Sequence, residues 1–104
     1  MSVRMMSEGD TIVLIGDFDG RCTEELRDTL HLHLARTGGV AEVDMSRVES
    51  IDITALRVLL VVAHYAHEHG GRMSLTHCTP QLRRTLSISG LIRLVERERV
   101  VQAS

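Results

Sequence analysis

The stretch "ESIDITALRV", Glu49 to Val58, sets a carboxylate at Asp52 and a hydroxyl at Thr54 just ahead of a strongly apolar run. Either residue suits a helix N-cap, where a side-chain oxygen accepts from an otherwise unpaired amide of the first turn. One helix end needs only one cap, so one of the two oxygens is left over. A leftover Thr hydroxyl is an acceptor for a phosphoryl group. A phosphate there would carry about −1.5 to −2 charges, beside a helix N-terminus that tolerates anions and beside Asp52, which repels them. The domain should survive that modification, whereas a protein docked over the same surface would have to desolvate the new charge. This is the chemistry of an on/off binding switch.

Other reactive side chains point to less. Six histidines are present, and "HYAHEH" puts His64 and His67 on one helix face with His69 turned away, but no acid or thiol is placed to complete a tetrahedral metal site. His31 and His33 fall on nearly opposite faces of a helix, and His77 beside Cys78 reads as a strand end. Cys22 and Cys78 have no metal-like spacing and read as two reduced thiols. There is no glycine-rich phosphate loop, no G-x-S-x-G and no convincing carboxylate pair. No catalytic residue, cofactor or metal is therefore expected, and the chain reads as a binding module, not an enzyme.

Turn signals fix the elements that must position Thr54. "VRMMS", the turn "EGD" and "TIVLIG" form an opening hairpin, with Gly9 free to take positive φ. In "TEELRDTLHLHLART", Leu26, Leu30 and Leu34 continue a four-residue repeat begun by Cys22, Glu24 and Glu25 lie in the dipole-favoured first turn, and Gly38 and Gly39 end the helix. "VAEVDMS" is a strand, "RVES" a link, and a helix runs from Thr54 to about His69, closed by Gly70 and Gly71. "RMSLTHC" alternates as a strand. "TPQLRRTLSISG" is a helix with Pro80 in its first turn and Ser87, Ser89 and Gly90 at its close, and "LIRLVERERVVQAS" reads as a short strand and a fraying helix. The order implies a single α/β domain over residues 1–104, a mixed four- to five-stranded sheet with helices mainly on one face. In such sheets function gathers at strand carboxyl ends, where the quoted motif lies.

Composition narrows the partners. At 104 residues the chain is the length of one compact domain, and with 43% apolar but only 2% aromatic residues its core is aliphatic, which removes the stacking platforms that single-strand nucleic-acid binders use. All 12 basic residues are Arg, scattered under a net charge of −2, so no footprint for nucleic acid or an anionic membrane is present. "VLLVVA", Val58 to Ala63, is far too short to span a membrane, and with no apolar leader the expected location is the cytoplasm. The pattern sets no oligomeric state.

On the helix after Thr54, steps of three and four place Thr54, Arg57, Val61, His64 and Glu68 on one face and Leu56, Leu59, Leu60 and Ala63 on another, the core side. A stripe holding a hydroxyl, a guanidinium and a lone Val has the character of a contact surface.

Three motifs in this order resemble the STAS domains of bacterial anti-sigma factor antagonists: "GDFDG", "VDMSRVESIDITAL" and "GGRMSLTHCTPQLRRTLSISGL" are similar to that family's acidic turn, strand-to-helix motif and Gly-Gly, strand and Pro-led helix. The resemblance implies a STAS-like fold that binds an anti-sigma factor kinase of the GHKL ATPase type and thereby releases a sigma factor. It also implies release of that complex by kinase phosphorylation and restoration by a PP2C-type phosphatase. Residue by residue, the phosphorylated hydroxyl falls on Thr54, its preceding acid on Asp52 and a conformationally important turn on Gly16 to Asp19. The expected partner surface is Asp19, Asp52, Ile53, Thr54, Ala55, Arg57, Val61 and His64. Ile53 departs from a usual small polar residue, and Ala55 from a usual Gly; a Cβ at Ala55 favours helix and narrows a kinase's approach. The small STAS subunit of lipid-transport ABC complexes also looks similar, which implies a second reading, a fixed adaptor without phosphorylation.

Overall fold

The computed structural model describes residues 3–89. Two strands, β1 (Val3–Glu8) and β2 (Thr11–Phe18), are followed by a 3-10 turn (Gly20–Cys22), α1 (Thr23–Thr37), β3 (Val40–Ile51), α2 (Ile53–Glu68), β4 (Arg72–Thr76) and α3 (Pro80–Ser89). The sheet order is β1-β2-β3-β4, antiparallel between β1 and β2 and parallel across the other two pairs. The β1–β2 connection is the two-residue turn Gly9–Asp10, in which Gly9 takes φ 60°. A single positive φ at the first turn position suits a type II′ hairpin.

One sheet face builds the core. Along β2 the side chains of Ile12, Leu14 and Phe18 are buried, and Ala41, Val43 and Met45 of β3 continue that layer. Leu26, Leu30 and Leu34 of α1, then Ala55, Leu56, Leu59, Val62, Ala63 and Ala66 of α2, close over it, and Leu82 and Leu86 of α3 join the same cluster. Each buried Leu contributes about 1.5–3 kcal/mol relative to exposure. His33 is buried in this layer, its Nε2 2.9 Å from the Asp10 carbonyl and its Nδ1 3.0 Å from Ser7 Oγ. A carbonyl only accepts, so Nε2 donates and Nδ1 accepts from the Ser7 hydroxyl. The imidazole thus ties α1 to both ends of the hairpin turn.

The helices end where glycines let backbones meet. The Gly39 carbonyl accepts from the Arg72 amide at 2.8 Å. A Cβ added to Gly71 would lie 2.1 Å from the Gly39 oxygen. The end of α1 and the end of α2 therefore touch main chain to main chain.

Several expectations need correction. "RVES" is strand, not link: β3 continues to Ile51 because β2 runs on beyond Gly16 to Phe18 and pairs with it. Two register shifts in that ladder each give β3 one residue more than β2 and return Val48 and Ile51 to the core side. For the same reason the turn expected at Gly16 to Asp19 is strand as far as Phe18. β4 stops at Thr76, since His77 turns to φ 57°. Leu60, expected in the core, is 43% exposed. Gly90 and the tail expected to hold a further strand lie outside the described residues.

Candidate functional site

The site is assembled where β2 and β3 end side by side. Past its last residue, β2 hands its chain to Asp19, whose carboxylate caps the 3-10 turn by accepting from the Arg21 amide at 2.9 Å. The Arg21 guanidinium grips the same carboxylate, Nη2 to Oδ2 at 2.9 Å and Nε to Oδ1 at 3.3 Å. Hydrogen bonds from that guanidinium, then from the Arg21 amide, hold the Asp19 carboxyl below its ordinary range. Asp17 accepts from the Ser50 hydroxyl at 2.7 Å, pinning the two strand ends together.

The tie continues into α2. The Asp52 amide donates to the Phe18 carbonyl at 3.0 Å, and the Asp52 carboxylate accepts from the Ala55 amide at 2.9 Å. Asp52 is therefore the N-cap. Thr54 lies one residue into the helix, exposed, and no group among the described residues hydrogen-bonds its hydroxyl. Gly20 faces its methyl group: a Cβ there would come within 3.9 Å of Thr54 Cγ2. The absence of a side chain at Gly20 leaves that flank of Thr54 open.

From Thr54 the outward face of α2 carries Arg57, Val61, His64 and Glu68, all exposed, with His64 Nε2 3.3 Å from Glu68 Oε2. Ile53 (47% exposed), Leu60 and Val61 (61% exposed) make this face more apolar than the polar side chains alone suggest. Asp19, Asp52, Ile53 and Thr54 cluster at the helix start, and Arg57, Val61 and His64 extend from it. Ala55 does not belong with them: it is wholly buried, its Cβ in the core, so only the neighbouring side chains form the surface. Its methyl group accordingly does not narrow the approach to Thr54. Two participants escape sequence reasoning, Arg21 and Leu60. The first shows itself only once the Asp19 turn is built, and the second is hidden in an unbroken apolar run. Among the described residues no group of three or more His, Cys, Asp or Glu could hold a metal ion, and no helix is long and apolar enough to cross a membrane.

The cap makes one immediate prediction. Asp52→Ala should lower unfolding free energy by about 1 kcal/mol, read by urea denaturation, because the Ala55 amide loses its acceptor. A change below a few tenths would mean that the Phe18 tie alone orders the helix start.

A protein-family model described as "Mlab, STAS domain" matches residues 1–96. A STAS-domain containing protein of Pseudomonas aeruginosa (strain UCBPP-PA14) is 31% identical over 84 residues, which cover 81% of this chain and 82% of that protein. Among solved structures, the anti-sigma factor antagonist SpoIIAA in its unphosphorylated form is similar with a TM-score of 0.62 at 19% identity, over 83% of this chain and 82% of that one. SpoIIAA, a Bacillus cell fate determinant, is matched in its phosphorylated form as well, with a TM-score of 0.62 at 20% identity, over 99% of this chain and 100% of that one. A Thermotoga maritima protein described as a candidate anti-sigma factor antagonist has a TM-score of 0.72 at 20% identity, over 88% of this chain and 81% of that one. At these identities the solved structures speak for the fold.

Proposed function

This chain belongs to the STAS-domain family, and we propose that within it the protein is an anti-sigma factor antagonist whose binding is switched at Thr54. In this reading the start and outer face of α2 dock a GHKL-type anti-sigma factor kinase in the cytoplasm, the sigma factor is released, and phosphorylation of Thr54 by that kinase ends the interaction until a PP2C-type phosphatase removes the phosphate. The protein is then a regulator without catalysis of its own.

The observation that carries the reading is the division of labour at the helix start. Asp52 does the capping, so the exposed Thr54 hydroxyl is not needed for the fold and is free for chemistry. A phosphate at this position gains from the helix N-terminus while crowding Asp52, so folding changes little. Binding changes much, since a docked partner would bury an unmatched double charge.

A second reading, a fixed adaptor subunit, is favoured by the Mlab description of the matching family model and by the exposed Ile53 beside Thr54. The same surface would then hold an ATPase subunit permanently. Phosphotransfer separates the two. Incubation with ATP and the GHKL-type kinase encoded nearest the gene should add one phosphate by intact mass, mapped to Thr54 and lost in Thr54→Ala. Stable binding with no phosphate would overturn the switch and leave the adaptor.

A further inference from the structure

We propose that β1 is an interface between two copies of this chain, which pair edge to edge through antiparallel β1 strands related by a two-fold axis at Met6. The proposal is independent of the function assigned to α2 and uses none of its residues.

β1 is an end strand of the sheet and, among the described residues, pairs only with β2. Its ladder runs from Val3 to Glu8 without a register shift, and "VRMMSE" contains no Pro. Sheet edges are commonly protected by bulges, Pro or unmatched charge, because their free amides and carbonyls recruit other strands. The bulges of this sheet all lie in the β2–β3 ladder, in the interior.

The hairpin determines which groups are free. A two-residue turn makes Glu8 and Thr11 a hydrogen-bonded pair, so Glu8, Met6 and Arg4 direct their main chain to β2. Val3, Met5 and Ser7 direct theirs outward, away from the sheet. A second strand can bond to that edge only in registers that join this outward set to its own copy. One of these registers places Met5 opposite Ser7, Arg4 opposite Glu8 and Met6 opposite Met6 of the other copy.

The side chains select this register. Arg4, Met6 and Glu8 all lie on the sheet face away from the helices, and all are exposed, Met6 at 39%. In the new pairing they occupy the non-hydrogen-bonded positions, where Cα atoms approach to about 4.5 Å and cross-strand side chains are closest. A two-fold interface brings each contact twice, so Arg4 meets Glu8 at both ends of the pairing, with the methionines between. Sliding by two residues sets Arg4 against Met6 and loses both ion pairs. The opposite charges four residues apart therefore do not protect this edge; they match it to itself.

The test is sedimentation equilibrium of the full chain from about 1 μM to 1 mM, with circular dichroism to confirm folding of each variant. The wild-type mass should rise with concentration towards that of a dimer. Glu8→Arg and Arg4→Glu, each of which turns two attractive cross-strand pairs into repulsive ones, should weaken the dimer by about tenfold or more. The double variant Arg4→Glu/Glu8→Arg restores opposite charges and should regain wild-type association within about threefold. A wild-type mass that stays monomeric throughout would overturn the interface. A dimer indifferent to the single reversals, or one that the double variant does not rescue, would overturn the β1 register.

Discussion

Thr54→Glu should reduce affinity for the proposed kinase partner by at least about a hundredfold, close to 3 kcal/mol, while the protein unfolds at nearly the wild-type temperature. The two halves of this expectation come from different parts of the site. For folding, Glu one residue into α2 is well placed towards the helix dipole, a gain of about 0.3–1 kcal/mol, offset by the nearby Asp52 carboxylate. Nothing among the described residues hydrogen-bonds the Thr54 hydroxyl, so its loss removes no internal bond. For binding, a carboxylate set between Asp52 and the exposed Ile53, on a face that also carries Leu60 and Val61, adds a like charge beside Asp52 and has to be desolvated under a docked partner. Isothermal titration against the kinase, paired with thermal unfolding, reads both. Unimpaired binding would remove Thr54 from the interface. Equal loss of binding and stability would make it a structural residue.

Gly71→Ala should cost about 3 kcal/mol or more of unfolding free energy, a large share of a small domain's total. The added Cβ meets only main chain, 2.1 Å from the Gly39 oxygen and 2.8 Å from its carbonyl carbon. No flexible side chain can move aside. Relief requires the α1–β3 turn to separate from the α2–β4 turn, which breaks the Arg72 to Gly39 hydrogen bond and unseats the Val40–Arg72 start of the β3–β4 ladder. Gly70→Ala is the control: it has positive φ but open space around it, so only the conformational penalty of about 1–2 kcal/mol should appear. Urea unfolding of both would decide. Equal losses would show that the two turns give way to the added Cβ at little cost, since Gly71, unlike Gly70, has no positive φ.

Local signals in the sequence were sufficient where the structure is local. The first helix is readable to both ends because acids, a four-residue Leu repeat and two glycines agree over Thr23–Thr37. The length of β3 was not readable, because Arg47 and Glu49 look like a link until β2 is known to run beside them. Strand pairing is a tertiary property, and propensity yields to it. Spacing also placed Thr54, Arg57, Val61 and His64 on one side of α2, and the structure leaves all four exposed. It could not choose between Asp52 and Thr54 as the cap, since both types qualify; the position of the Phe18 carbonyl decides by fixing where the helix begins. The family resemblance sets Ala55 on the partner surface and the structure buries it, whereas spacing sets Leu60 in the core and the structure exposes it. An apolar run from Val58 to Ala63 has no polar residue to mark its outer side, so the rotation of the helix rests on a few flanking positions.

The chain of bonds from Phe18 through Asp52 to Ala55 also bears on timing. A helix start held by both its amide and its carboxylate is ordered before any partner arrives, so the proposed association would lose little conformational entropy there and would need no folding step. Encounter rates for such surfaces are set by orientation and fall near 10⁵–10⁷ M⁻¹s⁻¹, to an order of magnitude. A charge added to a platform that does not deform therefore acts mainly on residence time. The complex would form about as readily as before and come apart sooner.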